Sequence, residues 1–125
     1  PTLPDNYLIH SSLEGPETAV FYRGEGQLKN GAAVINLPHY VASFTAPTSV
    51  TIKLQNATGF DSVYSKGVLE KNKFTVLSDN IASNDVFFWE VTITRTDVPA
   101  LIVEPMKDSI TLMGHGPYTY YKVTK

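Results

Sequence analysis

Along most of this chain, apolar and polar residues alternate with a period of two. In residues 49–55, Val50, Ile52 and Leu54 fall on one side, and Ser49, Thr51, Lys53 and Gln55 on the other. That alternation is the signature of a half-buried strand. Residues 86–96 repeat it at greater length: Phe87, Trp89, Val91 and Ile93 share one face, and Phe88, Glu90, Thr92 and Thr94 the other. Seven shorter stretches complete a set of strands, at 19–23, 32–37, 62–69, 73–78, 101–104, 109–113 and 118–123. Gly24-Glu25-Gly26, Asn30-Gly31, the run 56–59, Glu70-Lys71-Asn72, Ser78-Asp79-Asn80 and Gly114-His115-Gly116-Pro117 stand between them as turns. The two glycines of Gly24-Glu25-Gly26 are read as turn residues tolerating positive φ.

Helix signals are few. Pro38 is suited to start a helical turn, and Tyr40, Val41 and Phe44 follow at helical spacing within 39–45. Strands at intervals of about 8–12 residues without intervening helices predict an all-β, antiparallel β-sandwich of 8–9 strands rather than a parallel sheet. The chain carries no internal repeat or low-complexity stretch, and its 125 residues suit one domain. An opening at Pro1-Thr2-Leu3-Pro4 is expected of a processed product or an excised domain, and lacks the basic start and apolar stretch of a secretory signal.

The alternation is imperfect in an informative way. Phe88 stands opposite the core face of its strand, and Tyr22, Val34, Tyr64, Val68 and Met113 also fall opposite the more apolar side of theirs. Around 118–123, Tyr118 and Tyr120 line one face while Tyr121 and Val123 line the other. Two explanations stand: one sandwich covers both sides, or the surplus is an interface with another chain. Val34 and Phe88 are the interface candidates on this pattern.

Composition removes several chemistries. Without cysteine there is no disulfide, thiol catalysis or cysteine-ligated metal. Ten Lys and Arg against twelve Asp and Glu give a net charge of −2, scattered singly, so no basic face tracks phosphates and no nucleic-acid partner is expected. No apolar run approaches the roughly 20 residues of a membrane helix, so no membrane insertion is expected. His10, His39 and His115 stand far apart without a second ligand at strand or helix spacing, and no metal or other cofactor is expected. No serine lies in a nucleophile elbow, and the glycines form no phosphate-binding loop. Glu90 is the best candidate for a glycosidase carboxylate, against the plainer reading of an exposed strand residue pairing with a cross-strand lysine. Asn56-Ala57-Thr58 matches the N-glycosylation triplet. A shallow sugar site needs an aromatic face with polar neighbours, and Tyr64, Tyr118, Tyr120 and Tyr121 are its candidates.

Four segments, in order, carry a resemblance. The run from Asn30-Gly31-Ala32 to Leu37-Pro38-His39-Tyr40 is the first, and Thr58-Gly59-Phe60 with Asn72-Lys73-Phe74-Thr75-Val76 is the second. Phe88-Trp89-Glu90-Val91 through Arg95-Thr96-Asp97 is the third. Val103-Glu104-Pro105-Met106-Lys107 with Gly114-His115-Gly116-Pro117-Tyr118 is the last. Together they resemble tail-fibre-like surface-fibre proteins of phages, large DNA viruses and some bacteria, over about residues 19–121. The resemblance implies a jelly-roll-like sandwich, residues 19–125, that forms a homotrimer at the fibre tip, with residues 1–18 leading in from an upstream fibre. It implies a non-enzymatic role in attachment, through a glycan or protein receptor, on a virion surface or an extracellular fibre. Trp89 and Phe74 become core residues, Pro38 and Tyr40 join the trimer interface, and Arg95 with Asp97 form a polar pair. Two other functions fit the same residues: a monomeric lectin-like sandwich, and a structural trimerisation cap without a ligand.

Overall fold

The computed structural model describes residues 5–11, 14–104, 106, 110–113 and 119–122. Its strands are β1 (Ala19–Gln27), β2 (Ala32–Asn36), β3 (Thr45–Asn56), β4 (Val63–Tyr64), β5 (Lys73–Ser78), β6 (Val86–Arg95), β7 (Ile110–Met113) and β8 (Thr119–Lys122). A three-residue 3-10 helix at Val41–Ser43 takes the place of the helical turn expected after Pro38. Strands β1, β6 and β3 form one antiparallel sheet in that order, and β2, β5 and β4 form a second. Strands β7 and β8 pair as an antiparallel hairpin.

The two three-stranded sheets enclose the core, as a β-sandwich does. The long sheet contributes Phe87, Val91 and Ile93 from its central strand, all fully buried, and the short sheet contributes Phe74 and Val76 from its own. Leu28 closes the corner where the chain leaves β1, its backbone N–H donating to the Asp85 carbonyl at 2.9 Å. Each such side chain stabilises the fold by about 1.5–3 kcal/mol relative to leaving it in water. Phe74 meets Trp89 edge to face across the sandwich, with ring centroids 5.8 Å apart.

Four expectations need correction. Gly24 and Gly26 are not turn residues; they lie inside β1, opposite Trp89 and Phe87 of β6. A Cβ on Gly24 would sit 2.9 Å from Trp89 Cζ2 and 3.1 Å from Cε2, and one on Gly26 would meet Phe87 and Ile35. The glycines make room for two large rings rather than for a left-handed backbone. Tyr22 lies on the core side of β1, half-buried, and Phe21 takes the outward position. The stretch 101–104 is no strand: Pro99 and Pro105 bracket it, and neither supplies a ladder N–H. The segment 62–69 pairs only at Val63 and Tyr64, since Gly67 turns the chain at φ 72.

Real hairpin turns occur where two positive-φ residues adjoin. Asn30 (φ 52) and Gly31 (φ 77) join Lys29 to Ala32, and Lys71 (φ 50) and Asn72 (φ 66) join Glu70 to Lys73. Both are primed turns, whose twist matches that of the flanking strands. Asn72 is secured there because its Nδ2 donates to the Leu37 and Pro38 carbonyls at 3.1 and 2.7 Å.

Candidate functional site

Three surfaces of the sandwich carry the candidate chemistry: the outer face of each sheet and one loop-bearing end. Register decides what each face presents. On the long sheet, Glu25, Phe88 and Gln55 form one cross-strand row, and Arg23, Glu90 and Lys53 form the next. Between the rows runs an open trough of about 580 Å³, over Gly24, Trp89 and Leu54. Phe88 is 44% exposed beside it. Glu90 therefore lies between two cationic residues on neighbouring strands, Arg23 and Lys53.

The short sheet is more apolar outside. Val34 on β2 stands opposite Thr75, and Tyr64 on β4 opposite Leu77, so the two flank β5 from either side. Both remain about half exposed, as does Val68 in the loop that follows. A pocket of about 260 Å³ opens here, lined by Val68, Leu77, Thr75 and Phe74, with Lys66 and Lys73 among its polar members.

Of the candidate sugar-binding tyrosines, only Tyr64 is placed on a described surface. Tyr118 lies outside the described residues, and Tyr120 and Tyr121 sit on β8, opposite Leu112 and Thr111. Pro38 and Tyr40 adjoin the 3-10 helix. The Tyr40 ring stacks on Phe44 at 6.4 Å and lies 6.4 Å from Tyr22, so much of its surface is taken up within the subunit.

His10 joins that aromatic group. Its ring lies 5.9 Å from Tyr22, 6.2 Å from Tyr40 and 6.1 Å from Phe44, and its Nε2 is 3.3 Å from the Tyr22 hydroxyl. Burial, with Tyr40 alongside, pushes the Tyr22 phenol up to about 12. The N-terminal segment here borders a cleft of about 440 Å³ with Tyr7, Phe44, Arg95 and Asp97. Arg95 Nε and Nη2 donate to the two Asp97 oxygens at 2.9 and 2.7 Å. These bonds hold the Asp97 carboxyl below the usual carboxylate range, but an exposed pair contributes at most about 1 kcal/mol. His39 packs edge-on against Tyr40, and His115 lies outside the described residues. Among the described residues, no group of three or more His, Asp or Glu is placed to hold a metal ion, and no helix is long and apolar enough to cross a membrane.

The loop end holds residues that periodicity passed over. Asn56 closes β3 and organises the loop 57–62. Its Oδ1 accepts the N–H of Thr58 and of Gly59 at 3.1 and 2.8 Å, and its Nδ2 donates to the Asp61 carbonyl at 3.0 Å and to Asp85 Oδ2 at 2.9 Å. Both amide hydrogens are engaged, so in the folded protein this asparagine is a structural clamp of the loop. The neighbouring loop 79–85 is tied alongside, with Asn80 Nδ2 donating to Asp61 Oδ2 at 3.0 Å and the Asp79 N–H to the Ser62 carbonyl at 3.2 Å. On these braced loops Phe60 is fully exposed and Ile81 is 84% exposed. The available signal was an aromatic residue set among Asn, Gly and Asp, where a turn needs none.

No family model matches the chain, and no curated protein or solved structure matches it.

Proposed function

We propose that the chain is a non-enzymatic module that trimerises at the tip of a surface fibre and attaches it to a cell through a glycan or protein receptor. One observation carries the reading: apolar side chains face outward from both sheets, Phe21 and Phe88 from the long one and Val34 and Tyr64 from the short one, with Val68 exposed in the loop beside it. A single sandwich gains nothing by wetting both faces with such residues. A threefold assembly has a use for them, because a heterologous contact needs two different patches on every subunit. About 800 Å² buried per subunit contributes roughly 20 kcal/mol gross at 25 cal/mol per Å², before association and ordering costs reduce it. The ordered motif likeness to fibre proteins supports attachment as the purpose, and three weak sites on one tip gain by effective concentration.

Light scattering on the eluting peak of a sizing column tests this. The expected mass is three times the 13.8 kDa subunit, with binding on a glycan array or to receptor-bearing cells. A monomer at every concentration, with glycan binding intact, replaces the reading with a lectin-like domain. A trimer without any ligand replaces it with a structural cap.

A further inference from the structure

We infer that the trimer contact is made by the loop tip at Phe60 of one subunit seated in the pocket on the short sheet of the next. The inference rests on the trimer reading above and adds the pair of surfaces that meet. Phe60 is fully exposed, yet its loop is held by the four Asn56 hydrogen bonds and the Asn80–Asp61 bond to the next loop. An exposed aromatic residue on a braced loop is an anchor in waiting: its ordering cost is met before any partner arrives. Ile81, on the loop bonded beside it, adds a second apolar prong.

The occupant of the 260 Å³ pocket follows from size and charge. Its volume lies below the roughly 300–1,000 Å³ of pockets that hold free small molecules, and suits one inserted side chain. Buried Phe74 and the half-exposed Val68 give it apolar walls, and Lys66 and Lys73 bring two positive charges against one negative at Glu70. The tip has the opposite sign, with Asp61 next to Phe60 and Asp79 on the adjoining loop. A seated phenylalanine buries about 150–250 Å², and the carboxylates at its base meet the lysines at the rim. Tip and pocket lie on different parts of one subunit, so the contact is heterologous, and three copies close it into a ring.

Complementary variants test the geometry. Phe60→Asp disables the tip and Val68→Asp the pocket; both positions are exposed, so the circular dichroism spectrum of each subunit stays unchanged. Each variant alone is expected to lose the trimer and run at the 13.8 kDa subunit mass. Mixed in equal amounts they form a dimer, because the intact tip of the Val68→Asp chain enters the intact pocket of the Phe60→Asp chain. Lys66→Glu with Lys73→Glu weakens the trimer at least tenfold, and most at low salt. A wild-type trimer that survives Phe60→Asp, or two monomeric variants whose mixture stays monomeric, overturns this contact and leaves the trimer standing. A monomeric wild type removes the trimer reading and this contact together.

Discussion

Replacing Gly24 by alanine separates two explanations of a strand glycine by the sign of one measurement. A glycine kept for backbone freedom in an ordinary strand costs about 0.5–1 kcal/mol relative to alanine, so its replacement stabilises the fold. At Gly24 the added methyl arrives 2.9 Å from Trp89 Cζ2, 3.1 Å from Cε2 and 3.2 Å from Nε1. Trp89 cannot retreat freely, because Phe74 stands edge-on at 5.8 Å across the core. Overpacking of this kind costs about 1–3 kcal/mol, so the net expectation is a loss of about 0.5–2 kcal/mol. Trp89 is the sole tryptophan, and its fluorescence follows urea unfolding directly. With a slope near 2 kcal/mol per molar, the midpoint falls by roughly 0.3–1 M at fixed subunit concentration. In a Trp89→Leu background, followed by circular dichroism, the same Gly24→Ala change meets no ring and raises the midpoint instead. The two changes are then coupled by more than about 1 kcal/mol. A higher midpoint for Gly24→Ala in the wild-type background refutes the reasoning.

Three further outcomes follow from local geometry. Asn56→Ala leaves the Thr58 and Gly59 N–H groups and the Asp85 carboxylate without this partner, and costs about 1–3 kcal/mol with faster amide exchange across 57–62; unchanged exchange there overturns the clamp. Lys71→Gly relieves a left-handed residue at φ 50 and raises the unfolding free energy read from urea denaturation by about 0.5–1 kcal/mol net of added unfolded-state freedom, whereas Asn72→Gly lowers it by removing the bonds to Leu37 and Pro38. Tyr22 is the third case: with its folded-state phenol raised to about 12 from an ordinary value near 10, its contribution to stability is complete below pH 10 and is lost as pH rises from 10 to 12. Phenolate absorbance in a pH titration is expected to show a late step near 12 that Tyr22→Phe abolishes.

Much of the architecture was legible in the order of residues. Period-two alternation marked β5 over its whole length and β6 to within one residue, with Phe87, Val91 and Ile93 correctly on the core side. Asn30-Gly31 and Glu70-Lys71-Asn72 announced two turns by their turn-forming composition, and both pairs of central residues take positive φ. These are local properties. A side-chain period or a backbone preference acts between near neighbours and leaves its trace in a short window.

What the windows did not contain was the identity of the opposing residue. Gly24-Glu25-Gly26 has the composition of a turn, and only pairing with β6, more than 60 residues later in the chain, sets Trp89 and Phe87 over the two glycines. Tyr22 and Phe21 exchange faces because the β1–β6 register, rather than hydropathy, assigns the inward position. The prolines flanking 101–104 outweigh its apolar run. Phe60 and Ile81 belong to no alternating pattern, so their exposure and the hydrogen bonds bracing their loops emerge once Asn56, Asp61, Asn80 and Asp85 converge at one end of the sandwich. Local propensity wrote the strands and the tight turns into the chain; long-range pairing chose which side chains face water, since a one-residue change of register turns a whole strand over.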